Sequence, residues 1–268
     1  MSEGYASRAN GVLTTLRFKD HTHRGQKRTY RRWIEDTDLI KFDVVVKETD
    51  LQIFAEADLS HVAKESILTH RGYLEAYILQ YPAFRKTLVP WPVSAPAPAI
   101  VTDMIVAGQK AGVGPMAAVA GAMAQWVGRD LLAYSSKVIV ENGGDVFIQT
   151  DREMTVGLYA GASSLSGRIG IKIAEDAMPI AVCTSSASIG HSLSFGSADA
   201  ACILSESGAL ADAVATAVGN TIKASVDISA AIEFAKGIDG VLGVVIIVGQ
   251  KMGAWGALEL VPVKGKKG

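Results

Sequence analysis

Short apolar runs separated by glycine, proline and polar breaks dominate this chain, and several longer stretches carry helical spacing instead. Residues 39–46 and 51–55 read as strands joined by Lys47, Glu48, Thr49 and Asp50. Ser60 is placed to cap a helix running to about residue 80, where Tyr81 and Pro82 end it and Gly72 weakens its middle. The proline-rich residues 90–98 can join neither a helix nor a central strand and read as an ordered crossover. Residues 99–111 form a predicted helix stopped by Gly112, and Pro115 stands at a first helical position before a helix over 116–127. The small residues Ala117, Ala118, Gly121 and Ala122 let a backbone or a ligand approach that helix closely. Residues 137–142 read as a strand, broken by Gly143, Gly144 and Asp145 and resumed over 146–148. Two glycines inside a strand mark a bulge or a ligand near the backbone. Strands follow over 154–159, 168–173 and 180–183, then a strand over 200–204 and a helix over 208–221. Asp227 caps a helix to residue 236, and 241–248 with 258–263 form a final strand pair around residues 250–253. Strands, then helices, then strands in each half predict an α+β fold of two similar halves.

Composition narrows the function classes. The 268 residues suffice for a sizeable core, and 49% hydrophobic against 20% charged residues indicates a compact globule. A net charge of −1 gives no reason to expect nucleic acid or an anionic membrane as partner. Residues 111–128 are uncharged, but their alanines and glycines, with Pro115 and Gln125, indicate a packed soluble helix rather than a membrane span. Cys183 and Cys202 stand in apolar settings without a CxxC pair, as free thiols in a reducing cytosol would. The N-terminus lacks the basic and apolar regions of a signal peptide, so a cytoplasmic location is expected.

Candidate chemistry concentrates in the second half. Between Gly208 and Thr221 the one charged residue is Asp212. A helix without Lys, Glu or Arg is buried on most sides, and a carboxylate buried with it needs a cation, a metal or several donors. Thr216, one turn on, projects from the same face, and Asp with Thr makes a hard-oxygen pair suited to Mg²⁺. The alternative is a core helix whose Asp caps neighbouring backbone amides. Two weaker anion sites are the turn from Gly112 to Pro115 and the guanidinium groups of Arg28, Arg31 and Arg32. Helix packing explains the first equally well, and an edge strand with outward charges explains the second better.

The run from Ala211 to Thr216 resembles the A-D-A-x-A-T signature of the ApbE-like flavin transferases. Asn142 to Val146 resembles the G-G-D-[IV] signature of the same family, and Thr184, Ser185 and Ser186 resemble its small Thr-Ser turn, all in the family's order. Over residues 28–220 the chain is similar to the cytoplasmic branch of the ApbE-like (FAD:protein FMN transferase-like) superfamily. The resemblance implies one ApbE-like, T-fold-like domain over 1–268, with two pseudo-symmetric halves of antiparallel sheet backed by helices. It implies FAD or another nucleotide diphosphate as ligand, with Mg²⁺ held by Asp212 and Thr216. Asn142, Gly143, Gly144 and Asp145, with Thr184, Ser185 and Ser186, would line the flavin pocket, and His191 would be the acid–base group. The residues from His191 to Ser197 lack the acid, proline and threonine of the family's H-I-I-D-P-x-T-G run. That departure leaves two readings open, a Mg²⁺-dependent nucleotide transferase or hydrolase and a non-catalytic binding protein. A place in sulfur assimilation rests on the resemblance alone, and homo-oligomerisation stays open.

Overall fold

The computed structural model describes residues 14–16, 38–92, 96–186 and 196–263. In chain order the first half holds β1 (Thr14–Leu16), β2 (Ile40–Val46), β3 (Thr49–Ala55), α1 (Ser60–Gln80), α2 (Ala99–Ala111), α3 (Val119–Leu131), β4 (Val138–Asn142) and β5 (Asp145–Gln149). There follow β6 (Met154–Gly157), β7 (Ile169–Ile173), β8 (Ile180–Ser185), β9 (Ala200–Ser205), α4 (Gly208–Thr221), α5 (Ile228–Lys236), β10 (Gly243–Val248), β11 (Lys251–Gly256) and β12 (Glu259–Pro262).

An eight-stranded antiparallel sheet runs in the order β11-β10-β9-β8-β5-β4-β3-β2. Its two halves repeat one plan: a hairpin, a set of helices, a second hairpin. β2–β3 and β4–β5 flank α1, α2 and α3, while β8–β9 and β10–β11 flank α4 and α5. The halves join where β5 pairs with β8, with Val146 opposite Val182. This is the expected α+β architecture of two similar halves.

Both faces of the central strands are covered, so these strands read as unbroken apolar runs rather than alternating ones. Ile53, Val140, Phe147, Ala181, Ile203 and Ile246 face the helices and share a core with Ile67, Met104, Val127 and Val214. Their neighbours Phe54, Ile139, Ile148, Val182, Leu204 and Val245 face the other way, into a second core with Met154, Val156 and Ile171. Those last residues belong to a smaller sheet of order β1-β6-β7-β12. Among the described residues no helix is long and apolar enough to cross a membrane.

Several details differ from the sequence expectations. Gly143 and Gly144 do not interrupt one strand; they turn it back on itself, as described below. The turn expected around residues 250–253 is largely strand: Lys251–Gly256 form β11 against β10, and β12 pairs instead with β7 in the smaller sheet. α3 begins after a short 3₁₀ turn over Pro115–Ala118 and runs a turn further than expected, to Leu131. Ser60 opens α1 rather than capping it, its amide donating to Asp58. Asp227 accepts from the amides of Lys223 and Ala224 and leaves α5 without a side-chain cap.

α1 runs unbroken through Gly72, where an added Cβ would meet nothing within 4 Å. Gly72→Ala should therefore stabilise the fold by roughly 0.5–1 kcal/mol, raising the melting temperature by about 2 °C. Thermal melts followed by circular dichroism check this, and an unchanged or lower midpoint would contradict the open surroundings of that position.

Candidate functional site

The site is built on the tip of the β4–β5 hairpin. Asn142 and Asp145 are its last cross-strand pair, and the two glycines between them have φ 67 and φ 107. Two consecutive positive φ values define a type I′ turn, whose twist matches that of the flanking strands and which residues with a Cβ adopt poorly. The Gly144 amide donates to Oε1 of the buried Glu141 at 2.8 Å, and the Asn142 side-chain amide donates to the Ala120 carbonyl at 3.0 Å. The tip is thus tied to the start of α3. Gly143 faces open space, with nothing within 4 Å of where a Cβ would stand.

Asp145 points from this tip toward the helices. It is buried, accepts from the Thr184 amide at 3.3 Å and lies against the Cys183 thiol. Burial raises its carboxyl well above the usual carboxylate range, and the negative charge of Asp212 raises it further. Asp212 is half-buried, and its Oδ2 accepts from the amides of Ala120 at 3.0 Å and Gly121 at 2.9 Å. Those amides belong to the first turn of α3, where the helix dipole favours an anion. Burial nevertheless dominates and lifts the Asp212 carboxyl to about 7, against the downward pull of the two amides. No basic side chain among the described residues pairs with either carboxylate. Burial likewise pushes the Cys202 thiol up to about 12 and raises that of Cys183, so neither serves as a nucleophile near neutral pH.

α4 carries one half-buried polar stripe. Its residues are buried from Gly208 to Gly219 except Asp212 and Thr216, and Asn220, again half-buried, continues the same four-residue spacing. Beside it runs the half-buried end of β8 at Thr184 and Ser185, with Ser186 just beyond it. A Cβ on Gly219 would stand 3.2 Å from the Ser185 hydroxyl, which seats that strand end on the last turns of α4.

The structure therefore brings Asn142, Gly143, Gly144, Asp145, Thr184 and Asp212 together around the start of α3, with Thr216 one turn from Asp212 and Ser185 near Gly219. His191 lies outside the described residues, as do Arg28, Arg31 and Arg32. Glu141 and the Ala120 and Gly121 amides were not singled out from sequence. The Gly-Gly pair between two apolar runs was a hairpin signal, whereas backbone amides carry no side-chain signature. An open depression of about 500 Å³, lined by Ser136, Gln149, Thr150, Asp151, Glu175 and Asp176, lies at the far end of the same hairpin and includes none of these residues.

Among the described residues no group of three or more His, Cys, Asp or Glu side chains is placed to hold a metal. A Mg²⁺ site does not need one, since this ion is commonly held by one or two carboxylates, substrate phosphates and water. A carboxylate held by two amides but without a basic partner, with a hydroxyl one turn away, fits that demand.

A family model described as AbpE bacteria matches residues 31–251. A UPF0280 protein of Methanococcus aeolicus is 40% identical over 226 residues, covering 82% of this chain and 91% of the relative. A UPF0280 protein of Methanocella arvoryzae is 42% identical over 214 residues, covering 80% and 87%. Among solved structures, the flavinyl transferase ApbE of Pseudomonas stutzeri superposes with a TM-score of 0.52 at 12% identity, over 81% of this chain and 93% of that one. The flavin transferase ApbE of Vibrio cholerae gives 0.54 at 11% identity, over 81% and 96%. At such identities the likeness is one of fold.

Proposed function

Because the chain belongs to the AbpE bacteria family, an ApbE-like branch, we propose that it binds a flavin dinucleotide, or a related nucleotide diphosphate, together with Mg²⁺. The observation that carries this reading is the pair of carboxylates, buried Asp145 and half-buried Asp212, with no basic partner among the described residues, beside a glycine turn that leaves room for a ligand. Asp212 and Thr216 would hold the ion. Asn142, Gly143, Gly144 and Asp145 would line the ring or base, and Thr184, Ser185 and Ser186 would offer hydroxyls to the phosphates. Magnesium, when bound, neutralises charge on the diphosphate.

In the transferase form of this reading, a diphosphate P–O bond of FAD breaks, AMP leaves, and an acceptor hydroxyl or water forms the new bond to the FMN phosphorus. His191 would take the acceptor's proton. The second reading, binding without turnover, is favoured by the run from His191 to Ser197, which departs from the family pattern. Incubation with FAD and Mg²⁺, followed by chromatography for FMN and AMP, separates the two.

The binding reading itself is tested by calorimetry of FAD and ADP with and without Mg²⁺. Equal affinity in both conditions, or no binding, would overturn it. A variant sharpens the test. Gly143→Asn creates Asn-Gly, a favoured type I′ pair, so the hairpin keeps its turn while a side chain enters the open space. Flavin affinity should fall by about tenfold or more, the equivalent of roughly 1.4 kcal/mol, with the melting temperature nearly unchanged. Unchanged affinity would show that Gly143 serves only the turn.

A further inference from the structure

Asp212 has a counterpart in the other half of the fold. α3 and α4 touch through Gly121 and Gly208, each of which would drive a Cβ into the other's carbonyl oxygen. One turn beyond Gly208 stands Asp212, which binds the amides at the start of α3. One turn beyond Gly121 stands Gln125, whose Oε1 accepts from the Gly208 amide at the start of α4 at 2.9 Å. The Cβ contacts repeat the relation: a Cβ on Gly121 would lie 2.8 Å from that of Asp212, and one on Gly208 would lie 3.1 Å from that of Gln125. Each helix thus presents a glycine and, four residues on, a side chain that binds the partner helix's first amides.

The two corners differ in charge. Gln125 is 2% exposed, and its Nε2 donates to the Glu206 carbonyl at 2.9 Å. Both ends of its amide are engaged, so this corner is neutral and offers nothing to a cation. At the other corner the two α3 amides take only Oδ2 of Asp212. We infer that Gln125 is a positioning residue for the proposed Mg²⁺ site. By fixing both the Glu206 carbonyl and the Gly208 amide, it seats the first turn of α4 and thereby sets where the Asp212 carboxylate stands.

This inference rests on the magnesium reading, and its test keeps the two apart. FAD binding is measured by calorimetry across a magnesium series in wild type, Gln125→Leu and Gln125→Glu. Gln125→Leu should raise the magnesium concentration for half effect by about tenfold, as loss of groups that orient metal ligands does, and leave magnesium-free FAD affinity unchanged. Gln125→Glu should stay near wild type, since a buried glutamic acid takes up a proton and then offers the same acceptor and donor. Should Gln125→Leu not fold, Gln125→Asn, too short to reach Gly208, carries the same expectation. A lower melting temperature with an unchanged magnesium requirement would overturn the inference alone, leaving Gln125 a structural clamp. A wild type indifferent to magnesium would overturn both readings.

Discussion

Replacing Asp212 with asparagine is expected to abolish the magnesium dependence of flavin binding. The affinity loss at saturating Mg²⁺ should be roughly 100-fold, at the upper end of what even the outer partners of a metal site cost. Asparagine preserves the shape and keeps one oxygen for the amides of Ala120 and Gly121, so the cap on α3 persists while the anion is gone. Asp212→Ala removes the cap as well and should cost about 1 kcal/mol more in stability. The metal-free protein carries a second signature. Burial pushes the Asp212 carboxyl up to about 7 from its ordinary value of 3.8. Its stabilisation is therefore complete below the lower value and is lost as pH rises through the upper one. Asp145, raised by burial and by Asp212, acts in the same direction. The ion-paired carboxylates Asp38, Glu48, Glu75 and Asp151 are lowered by their Arg and Lys partners. They lose their contribution only as pH falls below the usual carboxylate range, so between pH 5 and 8 the slope comes from the raised carboxyls, Asp145 and Asp212, with Asp103, raised by burial, acting in the same direction. Wild type without magnesium should melt several degrees lower at pH 8 than at pH 5, and both Asp212→Asn and added Mg²⁺ should flatten that slope. A magnesium response in Asp212→Asn equal to wild type would remove the ion from this site.

How much of this was legible in the sequence follows from which interactions are local. Central strands such as β4, β5 and β10 are buried on both faces, so their apolar runs could be read directly. α4 was legible because a helix without Lys, Glu or Arg has no solvated face, and Asp212 and Thr216 stood out against it. β11 escaped notice because its sequence, KMGAWG, is glycine-containing and half-exposed at a sheet edge. The destination of β12 depends on a pairing with β7, distant in sequence, that no local pattern encodes. The same limit applies to the site. That Asp212 caps α3 follows from bonds spanning 91 and 92 residues to amides without any side-chain mark. Capping and metal binding had stood as alternatives; with Oδ2 on the amides and burial still raising the carboxyl, the two demands are compatible in one residue.

Gly208→Val should be among the most damaging single substitutions in this fold. Its side chain would strike the Gly121 carbonyl, a backbone group that no rotamer change can move aside. α3 and α4 would have to separate, and the bonds from Ala120 and Gly121 to Asp212 and from Gly208 to Gln125 would stretch with them. Overpacking typically costs about 1–3 kcal/mol, and the loss of buried hydrogen bonds places this case at about 3 kcal/mol or more. The melting temperature should then fall by roughly 6–12 °C, opposite in sign to Gly72→Ala. Gly208→Ala makes the same collision with fewer atoms and should fall between the two, folded enough for binding measurements. In that variant the half-effect magnesium concentration should rise together with the drop in stability, because one contact sets both helix spacing and the place of Asp212. A Gly208→Val protein melting within about 2 °C of wild type, less than the effect of 1 kcal/mol in a chain of this size, would mean that the helices have room to spare. The reciprocal clamp would then not hold the site.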